Sequence, residues 1–111
     1  MPAIHTASTT TGDEPTAAGD GLACRGAEYV MIELEETTGG AGDTVDVKAW
    51  VLGPSGNWSQ YESFGTGGTL QLTAGQKKAR WLYIKGATRF DLELDANASG
   101  GGLTSFVTFT A

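Results

Sequence analysis

Arg80–Trp81–Leu82–Tyr83–Ile84–Lys85–Gly86–Ala87–Thr88–Arg89–Phe90–Asp91–Leu92–Glu93–Leu94–Asp95 reads as two strands with a short break at Gly86–Ala87. In the second strand Phe90, Leu92 and Leu94 alternate with Arg89, Asp91, Glu93 and Asp95. Alternation of apolar and charged residues has period two, and a half-buried β-strand is the element that sorts such residues onto opposite faces. The same pattern recurs outward from this stretch. Upstream, 27–36 places Val30, Ile32 and Leu34 on one face and Tyr29, Met31, Glu33 and Glu35 on the other. The stretch 44–52 turns Val45, Val47, Ala49 and Val51 inward and Asp46, Lys48 and Trp50 outward. Gly53–Pro54–Ser55–Gly56–Asn57 is a turn, since Pro54 presets its backbone angle and Gly56 accepts a positive one. A strand at 57–64 then completes a hairpin. Leu70 and Leu72 mark a short strand at 69–73, and 103–110 sets Leu103, Val107 and Phe109 against Thr104, Phe106 and Thr108.

Short strands spaced near ten residues, with glycine-rich turns and no helical periodicity, predict an all-β chain. The expected fold is a single antiparallel β-sandwich, jelly-roll-like or Ig-like, of about seven to eight strands. A chain of 111 residues fits one domain and should bury roughly 65% of its unfolded surface. Residues 1–21 are small, polar and broken by Pro2 and Pro15. They have too little apolar surface to offset their own ordering entropy. The expected division is an extended N-terminal arm at 1–21 and a sandwich at 22–111. The arm is expected to be held by a sheet edge of its own chain or, preferentially, by a neighbouring subunit.

Charge narrows the partners. Residues 1–46 hold nine acids and one base, whereas residues 47–111 hold four acids and six bases. An acidic half argues against nucleic acid and anionic membrane, because phosphate binding needs a basic patch. It permits docking on a basic protein surface. No run approaches the length of a membrane span, and no basic start precedes an apolar run, so neither a membrane partner nor a signal peptide is expected. Cys24 is the lone cysteine, so no intrachain disulfide forms and a reducing cytoplasm is expected.

Candidate chemistry is sparse. His5 is the lone histidine and lies in the arm, which is a poor start for a nucleophilic triad or a zinc cage. Cys24 follows Leu22–Ala23 and reads as a packing residue. Glu33 and Glu35, with Asp91, Glu93 and Asp95, form two outward ladders. They would gather into a calcium or glycoside-hydrolase site only if their strands were neighbours, and otherwise are solvated faces. No phosphate-binding loop, dinucleotide fingerprint or nucleophile elbow occurs. No catalytic residue, metal or cofactor is therefore expected, and the chain reads as a non-enzyme. Five large aromatics remain: Trp50, Trp58, Tyr61, Trp81 and Tyr83. Each could anchor a protein interface, stack on a sugar, or belong to the core of the second layer.

The Thr/Ala/Gly-rich arm, the strand Tyr29–Glu36, the hairpin Val45–Phe64 and the ending Gly86–Leu94 with its glycine loop and Phe/Thr strand resemble small structural proteins of tailed-bacteriophage virions. Capsid decoration (cement) proteins are similar in size, acidity and β content. The resemblance implies a virion location, assembly in the host cytoplasm, a homo-oligomer, and binding to a major capsid protein or other virion protein. The arm residues Ile4, His5, Thr9, Thr10, Thr11 and Leu22 would then lie across a neighbour. The alternative is a carbohydrate-binding β-sandwich module of a phage fibre or tail, or of a secreted enzyme.

Overall fold

The computed structural model describes residues 3–8, 14–37, 40, 42–96 and 103–110. In chain order the strands are β1 (Ala3–Ser8), β2 (Leu22–Ala23), β3 (Tyr29–Glu36), β4 (Thr44–Leu52), β5 (Trp58–Gln60), β6 (Thr69–Thr73), β7 (Lys77–Tyr83), β8 (Arg89–Ala96) and β9 (Leu103–Thr110). They form two antiparallel sheets. Sheet A has the order β1-β9-β3-β7. Sheet B has the order β2-β8-β4, with β5 and β6 side by side along the far flank of β4.

The pairing is nested. β1 pairs with β9, β2 with β8, β3 with β7, and β4 with β5 and β6. The chain behaves as a two-ply ribbon, outgoing through β4 and returning from β5, that has been rolled up. That winding is a jelly roll, and it decides between the two sandwich topologies the alternation left open.

Alternation sets the core between the sheets. Val30, Ile32 and Leu34 of β3 face inward with Leu103, Val107 and Phe109 of β9. Sheet B contributes Val45, Val47, Ala49, Leu70, Leu72, Phe90 and Leu92. Phe90 and Phe109 meet edge to face across the layers, with centroids 6.2 Å apart. Such a pair adds about 0.5–1.5 kcal/mol beyond the area it buries. The turn at 53–57 forms as its residues predict: Gly56 has φ +86, and its N–H donates to Gly53 O at 3.0 Å.

The two strands expected either side of Gly86 form, and they lie in different sheets, β7 in sheet A and β8 in sheet B, so the break is a corner of the sandwich. The expected strand at 57–64 stops at Gln60, and a 3-10 turn over Glu62–Phe64 sends Phe64 into the core. A continued strand would have left that ring at the rim. Ala3–Ser8 takes the first of the two expected holds, a sheet edge of its own chain. It lies on the chain's own sheet as β1, because β9 would otherwise expose an open flank. Residues 14–21 are likewise held by their own chain, with the carbonyls of Ala17, Gly19, Asp20 and Gly21 accepting from Trp58 and Arg89 of sheet B.

Candidate functional site

The outer face of sheet B is occupied by the chain itself. Leu52 of β4 lies opposite Arg89 of β8 and Trp58 of β5, and all three point away from the core. Leu52 is nevertheless only 5% exposed, and it stands outside the central cluster. The cover is the strap 14–21, whose Pro15 is buried. Arg89 holds the strap by its backbone. Its Nε donates to Asp20 O at 2.7 Å, and Nη2 donates to Gly19 O at 3.1 Å and Gly21 O at 2.8 Å. Trp58 Nε1 donates to Ala17 O at 2.9 Å. Within the strap, the Asp20 carboxylate accepts from the N–H groups of Thr16 and Ala17 at 3.0 and 2.9 Å. Those bonds, to Ala17 foremost, hold the Asp20 carboxyl below its ordinary value. Gly21 has φ +71, and a side chain there would run into Phe90 O; only glycine lets the strap come this close to β8. Further along the face, Trp50 Nε1 donates to Glu93 Oε1 at 3.0 Å.

The outer face of sheet A carries no such cover among the described residues. Its register sets Trp81 opposite Met31, and Met31 opposite Thr108. The next row outward is Tyr83 with Tyr29, whose rings meet edge-on at 5.3 Å. On the other side lie Ala79, Glu33 and Phe106. Trp81, Tyr83 and Phe106 are 59%, 53% and 44% exposed, and they are the exposed large hydrophobic residues of the described chain. An open hollow of about 400 Å3 lies beside Phe106, lined in part by Glu33, Glu35, Lys77, Ala79 and Thr104. Lys77 and Glu35 face each other there at 3.9 Å, an exposed pair worth little on its own.

The five aromatics singled out by sequence therefore divide. Trp50 and Trp58 spend their N–H groups on their own chain. Tyr61 is partly buried against the core, and its hydroxyl both donates to Tyr83 O and accepts from Tyr83 N, each at 3.2 Å. Trp81 and Tyr83 present exposed rings, that of Tyr83 with one edge against Tyr29. Phe106, placed outward by alternation with Thr104 and Thr108, joins them as an exposed ring, and Met31 lies half-buried beside Trp81, although neither is among the five aromatics that stand out in the sequence. The arm candidates scatter: Ile4 and His5 lie in β1, Leu22 starts β2 and packs on the core, and Thr9, Thr10 and Thr11 fall outside the described residues.

The carboxylate ladders do not meet. Glu33 and Glu35 stand on the outside of sheet A, whereas Asp91 and Glu93 stand on the outside of sheet B. Among the described residues no three His, Cys, Asp or Glu side chains gather to hold a metal ion. Burial raises the Asp91 carboxyl. It also pushes the Cys24 thiol up to about 11, with the Arg89 charge opposing, which leaves the sulfur a packing atom. No helix among the described residues is long and apolar enough to cross a membrane. The chain matches no family model, no curated protein and no solved structure.

Proposed function

We propose that this chain is a non-enzymatic structural protein of a virion, a capsid decoration protein that docks on a major capsid protein or another virion protein through the outer face of sheet A. The observation that supports this reading is the exposure of Trp81, Tyr83 and Phe106 on the outer face of sheet A, with half-buried Met31 between them, while the strap 14–21 engages Arg89 and Trp58 at one end of sheet B. Aromatic and methionine side chains are the enriched components of protein interfaces, and a central ring buried in a partner's pocket commonly carries most of the affinity. Many copies on a repeating lattice multiply a modest contact by avidity. The jelly-roll winding suits the role, since it also serves in viral capsid domains.

The same winding serves lectin domains, so the carbohydrate-binding module is the competing assignment. The surroundings of Trp81 favour protein. Its immediate neighbours on the face are Met31 across and Ala79 and Tyr83 along the strand, an apolar and aromatic setting, with the carboxylate of Glu33 one row away. Mass spectrometry of phage particles from cells producing this chain tests the reading. The wild-type chain should be found on the particles, and Trp81→Ala should weaken its binding by about 30-fold, or 2 kcal/mol. A chain absent from particles that instead binds glycans through Trp81 would move the assignment to a carbohydrate-binding module.

A further inference from the structure

β7 is an edge strand of seven residues, and side chains engage part of its outer flank. The direction of its backbone groups follows from its neighbours. Ile84 N–H donates to Glu28 O, and Gln76 O accepts from Glu36 N–H, so even-numbered residues face β3. Lys77, Ala79, Trp81 and Tyr83 therefore turn their N–H and C=O groups away from the sheet, where another strand could add. Tyr61 occupies both groups of Tyr83 through one hydroxyl. Arg80 Nη1 donates to Ala79 O at 2.8 Å. On the neighbouring edge, Lys78 Nζ donates to Gln71 O of β6 at 2.8 Å.

We propose that Tyr61, Arg80 and Lys78 form a guard that closes these edges against strand pairing with a second copy of this chain. The placement of the charges supports it. Lys78 and Arg80 lie opposite Leu34 and Ile32, on the core side of β7, where alternation calls for apolar residues. Inward-pointing charges on an edge strand resist docking of another sheet. Tyr61 is positioned from two sides: its N–H donates to Ala49 O at 2.7 Å, and its ring packs on the core. The hydroxyl thus arrives at Tyr83 without freedom to turn away. Of the four outward residues, Tyr83 has both backbone groups engaged and Ala79 its carbonyl, and Lys77 and Trp81 are not consecutive along the flank. A strand with the β-rich sequence Ala79–Tyr83 has reason to need this. The inference does not rest on the docking reading, because it concerns the flank of β7 and not the face of sheet A.

Tyr61→Phe tests it by removing one oxygen and keeping the ring. Sedimentation velocity over a wide range of concentration should show the variant associating at about tenfold lower concentration than wild type. Amide exchange at Tyr83 should quicken in the dilute variant and slow again on association. A variant with the wild-type sedimentation profile at every concentration would overturn the proposal. If Tyr61→Phe does not fold, the Lys78→Gln, Arg80→Gln double variant, which keeps every core contact of Tyr61, must show the same association. Its remaining like wild type would equally overturn the guard.

Discussion

The outer faces of sheets A and B are written in the same alternating code and end in opposite states. On sheet B the outward residues are engaged. Arg89 and Trp58 grip the strap, Leu52 is sealed beneath it, and Trp50 is tied to Glu93. On sheet A the outward residues include three large rings exposed to solvent. Outwardness along a strand says which way a side chain points, and nothing about what lies on top of it. The difference comes from a segment distant in sequence, residues 14–21, that the chain lays over one face and not the other.

The contrast can be broken most strongly at Arg89. Arg89→Ala removes the donor to three strap carbonyls and should cost about 2–3 kcal/mol, or roughly 10 °C in melting temperature. Urea titration gives the first quantity and calorimetry the second, and protease cleavage within 14–21 should appear at the same time. Unchanged stability would mean that the strap is not what seals sheet B.

A smaller effect sharpens the same point through pH. The Asp20 carboxyl is depressed by the strap's own N–H groups. Its contribution is therefore present above the ordinary value of 3.8 and is lost as pH falls through the lower folded value. Asp91 runs the other way: burial raises it, so its ionisation weakens the fold as pH climbs past its raised value. Asp20→Asn should flatten the acid limb of the stability curve measured by urea midpoints between about pH 2 and about pH 5. An acid limb as steep as that of wild type would assign the loss to other groups.

The smallest effect is expected on the bare face. Trp81→Ser should change unfolding free energy by no more than about 0.5 kcal/mol, because a 59% exposed ring on an edge strand supports little of the core. Loss of the same ring, as in Trp81→Ala, is what the proposed docking predicts to weaken binding. A large loss of stability in chemical denaturation would show that Trp81 is structural and that sheet A is not a free surface.

The strands of the core were legible because alternation is a local signal. Val30, Ile32 and Leu34, or Phe90 and Leu92, declare their face within a few residues. β2 is two residues long and has no period to read. β1 lacks a clean apolar alternation in Ala-Ile-His-Thr-Ala-Ser, so only the open flank of β9 explains it. The strap was illegible for a different reason: Arg89 binds backbone carbonyls, and a carbonyl acceptor leaves no mark on residue identity. The exposed face of sheet A was half legible. Trp81 and Tyr83 stood out as large aromatics beyond the core face, but Trp50, Trp58 and Tyr61 looked the same until their hydrogen bonds were in place. Phe106 was hidden by the threonines around it.

The rolled winding also fixes a schedule. β9 sits in the interior of sheet A, between β1 and β3, yet it is the last strand of the sandwich to leave the ribosome. Until Leu103–Thr110 arrives, β1 has no partner and β3 has one flank open, so sheet A cannot be completed while the chain is still being made. Everything before it must wait with those flanks unpaired, the interval in which nascent β-rich chains are most prone to join one another. A chain truncated after Ala96 would therefore carry an unclosed sheet A, whereas one extending through Thr110 carries every strand of the roll.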